Sequence, residues 1–150
     1  MKSFTTTISV DQSPQEAFAA INDVARWWSG KIDGDAGRLG AEFTYRYKDL
    51  HRSTQKVTEF VPGKKVVWHV SDSRISFLKK DKHEWDDTKI VFEISRKGGK
   101  TQVRFTHAGL VPEFECYDAC SSGWTSLVTE NLRGLMAEGV HQPDAFAGRS

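Results

Sequence analysis

Five stretches of alternating apolar and polar residues follow Gly40, with short connections between most of them. They span residues 42–47, 54–61, 65–70, 89–95 and 101–107, and residues 5–10 form a sixth such stretch. Alternation with a period of two is typical of strands that bury one face. Pro62-Gly63 and Gly98-Gly99 lie between neighbouring stretches and predict tight antiparallel hairpins. The chain is therefore expected to fold around an antiparallel meander.

Helical patterns flank these strands on both sides. Residues 13–16 provide an N-cap hydroxyl, a proline at the first helical position and a glutamate three residues after the cap, so a helix begins there. Residues 22–23 interrupt this helix before a second short one around residues 24–28, which predicts a bent helix pair. Residues 117–138 carry apolar side chains along one side of a long C-terminal helix.

Two segments are expected to be irregular. Glycines punctuate residues 30–40, and this segment follows a helix and precedes a strand, so its GDAGRLG phrase indicates turns rather than a phosphate-binding loop. Residues 71–87 form a highly charged insertion with Ile75, Phe77 and Trp85 as anchors against the sheet. We interpret this insertion as a mobile lip.

Composition narrows the class of protein. A chain of 150 residues suits one domain with its own core, here residues 1–150 with residues 139–150 as a loose tail. Lys and Arg total 21 against 20 for Asp and Glu, without a long basic run, so no nucleic-acid partner is expected. No stretch approaches the roughly 20 apolar residues of a membrane helix, and no secretory leader is apparent. A soluble cytoplasmic protein without membrane insertion is predicted.

The order of strand, helix pair, meander and closing helix is that of the helix-grip fold. Several local phrases sharpen this match: Ser13-Pro14 before Phe18, Trp27-Trp28, Glu84-Trp85 with Thr88, Thr101-Gln102-Val103, His107-Ala108-Gly109-Leu110 and Gly123-Trp124. Over roughly residues 1–139 the chain resembles the SRPBCC, or START-like, superfamily. It is most similar to the branch containing the C-terminal domain of the activator of a heat-shock chaperone ATPase. The resemblance implies an α+β fold in which a curved antiparallel sheet of six or seven strands wraps around the C-terminal helix.

The resemblance also implies a hydrophobic cavity between sheet and helix. Members of the superfamily bind lipids, sterols, hormones, polyketides and aromatic compounds, and a minority are cyclases or hydrolases. Binding of a small hydrophobic molecule, without a cofactor, is thus the first functional hypothesis. A polyketide cyclase-like or hydrolase-like enzyme and a chaperone-associated or self-associating domain are the alternatives. Chaperone activators carry a separate N-terminal domain for which this chain has no room, so chaperone contact is not expected, and both monomer and homodimer stay open.

The candidate ligand-binding residues are those that alternation and helical spacing turn toward the interior. Apolar positions of this kind stabilise a core whether or not a ligand enters, and a ligand pocket needs on the order of 300 Å³ or more. Trp28 is expected at the cavity mouth and Trp124 against the sheet. The full set is Trp28, Phe43, Tyr45, Tyr47, Trp68, Phe92, Phe105, His107, Trp124 and Val128.

Two residues are candidates for proton transfer. His107 has an ordinary pKa near 6.5 and could act as a general base, although a structural hydrogen bond to the following turn is the favoured interpretation. Glu59 would be a carboxylate inside the cavity if residues 57, 59 and 61 face inward. If residues 58 and 60 face inward instead, Glu59 is a surface charge.

The two cysteines and the charged residues 81–87 are assigned structural roles rather than chemical ones. Cys116 and Cys120 lie four residues apart where a helix begins, and they are expected to be free thiols with small buried side chains. Acidic residues and a histidine crowd residues 81–87, but their spacing is nondescript and lysines alternate with them. An exposed charged loop is predicted there, with no metal site.

Overall fold

Seven strands form the sheet in the computed structural model, which describes residues 3–28, 30–48 and 50–138. They are β1 (Phe4–Val10), β2 (Lys31–Gly34), β3 (Glu42–Tyr47), β4 (His51–Val61), β5 (Lys65–Ile75), β6 (Lys89–Lys97) and β7 (Lys100–Ala108). Their order in the sheet is β1-β7-β6-β5-β4-β3-β2, and every neighbouring pair is antiparallel. The predicted meander is confirmed.

The helix pair follows β1 as predicted. Helix α1 (Pro14–Asn22) begins with a capping box, in which the Ser13 hydroxyl accepts from the Glu16 N–H at 3.1 Å and the Ser13 N–H donates to the Glu16 carboxylate at 3.0 Å. A 3₁₀ turn (Val24–Arg26) continues the chain at an angle. The Trp27 indole N–H donates back to the Ile21 carbonyl at 3.1 Å, which holds the two helical pieces together.

The closing helix consists of α2 (Tyr117–Ser126), a π-helical stretch (Leu127–Leu132) and α3 (Arg133–Glu138). Its apolar side is buried against the concave face of the sheet. The Asn131 side-chain amide donates to the Trp27 carbonyl at 2.9 Å and so joins the closing helix to the helix pair. Together these elements form the helix-grip α+β fold, as the sequence predicts. Within the described part of the chain, no helix has the length and apolar character needed to cross a membrane.

The prediction of an irregular segment over residues 30–40 is wrong at its start, because Lys31–Gly34 forms the edge strand β2. Gly34 has a φ of +113°, and a Cβ at this position would lie 2.4 Å from the Glu42 carbonyl oxygen. Glycine therefore permits β2 to pair closely with β3. A short polar strand bounded by glycines lacks the apolar alternation that identifies the other six.

The charged insertion is shorter than predicted, because β5 continues to Ile75. This extension of β5 pairs with the start of β4, where His51 lies opposite Ile75. The remaining residues 76–88 return over the end of the sheet. Of the three predicted anchors, Ile75 and Trp85 are buried, but Phe77 is 49% exposed. Leu78 is buried in the place expected for Phe77, since the backbone turns between them and presents the next apolar side chain to the core.

Candidate functional site

An apolar pocket of about 190 Å³ lies where the start of β4, residues 76–88 and α2 meet. Leu50 and Phe77 form its rim and are 44% and 49% exposed. The pocket is lined by Trp28, Tyr45, Tyr47, Leu50, His51, Phe77, Trp85, Ala119, Cys120, Gly123, Trp124 and Leu127. Because the lining side chains are mostly rings and aliphatic groups, the pocket suits an apolar guest.

The walls of this pocket are stacked aromatic rings. Trp28 stacks on Tyr45 with ring centres 4.3 Å apart and lies 5.2 Å from Trp124. Trp85 also stacks on Trp124, with ring centres 5.7 Å apart and an interplanar angle of 12°. Such an arrangement offers flat surfaces against which a further aromatic ring can stack or pack edge-on.

His107 holds two of these walls in place from behind the pocket. The Trp124 indole N–H donates to its Nδ1 at 3.0 Å, so the ring proton of neutral His107 is on Nε2, which lies 2.8 Å from the Thr88 hydroxyl oxygen. Thr88 in turn donates to the Trp85 carbonyl at 2.6 Å. Burial, with a smaller contribution from nearby His51, lowers the pKa of His107 to about 3. Both ring nitrogens are therefore engaged in structural hydrogen bonds.

The histidine that borders the pocket itself is His51. Its ring packs edge-on against Trp85 at 4.4 Å and against Tyr45 at 5.4 Å. Burial lowers the pKa of His51 to about 4, so the imidazole is neutral near pH 7. Its Nε2 atom is buried and has no hydrogen-bond partner among the described residues. A guest molecule with a hydroxyl or carbonyl group could satisfy it.

Polar side chains continue inward from His51 along the same face of β4. Ser53 and Gln55 follow at two-residue intervals, and both are completely buried. The Ser53 hydroxyl and both polar atoms of the Gln55 amide lack partners within the described part of the chain. Unsatisfied buried groups of this kind cost about 1–3 kcal/mol each, so this polar stripe is unusual for a purely structural core.

Four of the ten predicted ligand-binding residues line the pocket: Trp28, Tyr45, Tyr47 and Trp124. Trp28 lines the pocket but is only 2% exposed, so it forms an inner wall and not the mouth that was predicted for it. Trp124 packs against the sheet, as predicted, and also forms a wall. The other six are fully packed core residues behind the pocket, namely Phe43, Trp68, Phe92, Phe105, His107 and Val128. The interior is thus filled along most of its length and open at one end, because the aromatic rings occupy the centre.

Sequence reasoning missed the pocket residues that come from strand ends and connections. His51 was missed because the β4 prediction began at residue 54; three more residues of alternation would have placed it on the inner face. Trp85 and Phe77 were expected as anchors of the insertion, without a part in the pocket. The lining is completed by five residues outside the predicted ligand-binding set, namely Leu50, Ala119, Cys120, Gly123 and Leu127.

Glu59 does not face the cavity, so of the two orientations left open for it, the surface charge is the one observed. Val57 pairs with Trp68 and Glu59 pairs with the next residue, Val67, which leaves Thr58 as the extra residue of a β-bulge. The bulge ends the alternation after the buried Val57. Glu59 is 52% exposed and lies 3.3 Å from the Lys65 ammonium group. The two candidate proton-transfer groups, Glu59 and His107, therefore do not converge in one pocket.

The cysteines are buried free thiols, as predicted. A hydrogen bond with Cys120, together with burial, raises the pKa of Cys116. The thiol form is therefore favoured over the nucleophilic thiolate. Cys120 contributes a small, soft surface to the pocket.

The charged insertion mainly ties neighbouring elements together. Glu84 accepts from the N–H groups of Glu115 at 3.0 Å and Cys116 at 3.1 Å, directly before α2, which has no side-chain cap of its own. Glu115 accepts in return from the N–H groups of Lys79 and Lys80, at 3.0 Å each. These bonds fix the insertion against the start of α2.

Three possible metal ligands approach one another beside this insertion. The side chains of Asp72, His83 and Asp86 each place a ligand atom within 4.8 Å of the others. Each already has a protein partner. Arg52 lies 2.5 Å from Asp72, the Ser73 hydroxyl donates to Asp86 at 2.7 Å, and His83 Nδ1 lies 2.5 Å from the Ser73 carbonyl oxygen. The group braces the insertion on β5.

Comparison with known proteins identifies relatives of this fold. The family model described as Activator of Hsp90 ATPase homolog 1-like protein matches residues 13–137. The solution structure of the Aha1 dimer from Colwellia psychrerythraea has 24% identity and a TM-score of 0.73, covering 93% of this chain and 98% of that chain. The Mll3558 protein from Rhizobium loti has 19% identity and a TM-score of 0.67, covering 89% and 95%.

The chain is also similar, at lower sequence identity, to a protein encoded in a biosynthetic locus. DynU16, from the dynemicin biosynthetic locus, has 14% identity and a TM-score of 0.68, and the match covers 93% of this chain and 49% of DynU16. No curated protein matches the chain significantly. The family model covers most of the chain, from the N-cap of α1 to the last turn of α3. The chain therefore belongs to the family of Activator of Hsp90 ATPase homolog 1-like proteins.

Proposed function

We propose that the chain binds a small hydrophobic molecule containing one aromatic ring in the pocket beneath α2. The supporting observation is a pocket of about 190 Å³ walled by Trp28, Tyr45, Trp85 and Trp124. An apolar cavity of about 150 Å³ is known to hold benzene, whereas drug-sized ligands take about 300–1,000 Å³. The size thus favours a single ring or a short chain over a sterol or a long lipid.

The polar atoms at the pocket support a preference among such rings. His51 Nε2 and the Trp85 indole N–H are both buried and unpartnered within the described residues. The indole can only donate, and neutral imidazole nitrogen either donates or accepts, depending on its tautomer. A hydroxyl group can meet either requirement, so a phenol-like ligand fits better than a purely apolar one. Stacking and burial supply most of the affinity, while His51 orients the ring.

A blocking substitution tests this proposal. Ala119 is exposed on α2 and lines the pocket, so Ala119→Trp should fill it without disturbing the core. Ser122→Trp, at an exposed position of α2 outside the pocket lining, is the matched control. Phenol, indole and toluene are titrated while tryptophan fluorescence and the unfolding midpoint are recorded. We expect binding to the wild type and to Ser122→Trp, and at least about tenfold weaker binding to Ala119→Trp.

Failure of this test has a clear signature. If the wild type and Ala119→Trp bound the probes equally well, the binding site would lie outside this pocket. The absence of binding by all three probes would remove the proposal. A cyclase-like or hydrolase-like activity has less support, because its two predicted proton-transfer groups lie apart.

We also infer self-association and a cytoplasmic location. The relative from Colwellia psychrerythraea is described as a dimer, and nearly its full length matches this chain. Sedimentation over a range of concentrations should show twice the monomer mass; a monomer throughout would contradict the inference. Two buried free thiols, Cys116 and Cys120, suit a reducing compartment.

A further inference from the structure

A row of four cationic side chains crosses the outer face of the sheet. Lys31 pairs with Arg46, Arg46 with Arg52, and Arg52 with Arg74, so the four lie directly opposite one another on adjacent strands. The alternation that buries Tyr45 turns Arg46 to the outside. Lys31, Arg46 and Arg74 are exposed, and the Arg52 side chain is 31% exposed.

This row concentrates positive charge in a chain whose net charge is only +1. Like charges directly opposite one another on neighbouring strands destabilise a sheet. One carboxylate reduces the repulsion within the row, because Asp72 forms an ion pair with Arg52 at 2.5 Å. Asp33, two residues from Lys31 on the same face of β2, flanks the other end. Among the described residues, neither Arg46 nor Arg74 forms an ion pair.

A cavity of about 330 Å³ borders three of the four cations of this row. It is lined by Arg46, Lys48, His51, Arg52, Arg74 and Ser76. The basic side chains therefore surround a concave space rather than a flat surface. Guanidinium groups bind phosphate oxygens through paired, charge-assisted hydrogen bonds. A lysine ammonium group adds a further positive charge and further hydrogen-bond donors.

We propose that this cavity binds the phosphate group of a small molecule, held by Arg46, Arg74 and Lys48. Arg52 is already neutralised by Asp72 and contributes mainly to positioning. The row and the cavity together hold five of the chain's 21 basic residues, and the chain has no long basic run, which favours a compact anion over a polyanionic strand. This site is separate from the aromatic pocket; His51 alone lines both.

The test measures binding of inorganic phosphate by calorimetry and by thermal unfolding, against sodium chloride at matched ionic strength. The wild type should show saturable binding and a higher unfolding midpoint in phosphate. The double variant Arg46→Gln/Arg74→Gln should bind at least about tenfold more weakly, since it loses two charge-assisted pairs. In chloride this variant should be as stable as the wild type or more stable, because like-charge repulsion is removed.

Lys97→Gln is the control, since Lys97 is an exposed cation of the β6–β7 hairpin outside this cavity. Its phosphate response should equal that of the wild type, which separates site binding from the general effect of phosphate on stability. Phenyl phosphate and phosphatidylcholine vesicles containing phosphatidic acid then distinguish a free ligand from a lipid headgroup. Loss of either interaction in the double variant supports the phosphate site. The proposal is overturned if phosphate acts like chloride, or if the double variant and the wild type respond equally.

Discussion

At the residue scale, His107 shows how one side chain can organise a site that it does not touch. Its Nδ1 accepts a hydrogen bond from the Trp124 indole N–H, and its Nε2 lies within hydrogen-bond distance of the Thr88 hydroxyl. That hydroxyl donates to the Trp85 carbonyl. Gly109, two residues on, has a φ of +102°, and a Cβ there would lie 2.8 Å from a Thr88 methyl carbon. Glycine at this position lets Thr88 reach His107. The histidine therefore fixes two tryptophan walls of the pocket.

Replacing His107 by leucine should destabilise the protein by about 2–4 kcal/mol, because the buried Trp124 N–H and Thr88 hydroxyl lose their partner. Urea unfolding measures this loss, and tryptophan fluorescence should shift as the pocket walls loosen. His69→Leu provides the matched control at a partly exposed histidine on the outer face, where a change below about 1 kcal/mol is expected. Equal stability of His107→Leu and the wild type would show that the hydrogen-bonded network is not structural.

At the scale of elements, the insertion and the closing helix support each other through backbone caps. Glu84 accepts from two N–H groups immediately before α2, where a negative charge also interacts favourably with the helix dipole. Helix α2 carries Ala119, Cys120 and Gly123 of the pocket lining. The position of this wall thus depends on residues that are remote in the sequence.

Glu84→Ala should cost about 1 kcal/mol and loosen the insertion against α2, because two backbone donors lose their acceptor. Hydrogen exchange should accelerate over residues 76–88 and at the start of α2, and binding of aromatic probes should weaken. Glu113→Ala is a suitable control, since this exposed carboxylate lies outside the cap. Unchanged exchange in Glu84→Ala would contradict the role of the cap.

At the scale of the whole molecule, two neutral histidines, the buried His107 and the partly buried His51, make stability depend on pH. The pKa is about 4 for His51 and about 3 for His107, below the value of 6.5 for an unfolded chain. As the pH falls below 7, the unfolded chain therefore binds protons before the folded one. The free energy of unfolding should decrease from about pH 6.5 downward and continue to fall until the folded histidines protonate.

This dependence can be measured by urea unfolding at pH 7, 6 and 5, above the range in which most carboxylates titrate. The wild type should lose on the order of a few kcal/mol across this interval. His51→Phe removes one of the two groups and should show a shallower dependence, with its stability at pH 7 maintained or raised because an unpartnered buried nitrogen is gone. Identical pH profiles for the wild type and His51→Phe would refute the assignment to His51.

Local patterns in the sequence were sufficient to predict the meander, the capped helix pair, the long closing helix and the buried cysteines. Alternation, the Ser13 capping box and the hairpin glycines act over a few residues, so they can be recognised without knowledge of their partners. The same patterns identified inward-facing aromatic residues, four of which line the pocket. They could not separate pocket walls from packed core, because both kinds of residue are apolar and face inward.

Only the tertiary structure decided the chemistry of the two cavities. The bulge at Thr58 turns Glu59 outward, and the early start of β4 places His51 at the aromatic pocket. The cationic row of Lys31, Arg46, Arg52 and Arg74 exists only in the observed register, since a shift of one residue would disperse it. Register and bulges depend on pairing between strands distant along the chain, so short-range sequence patterns do not contain them.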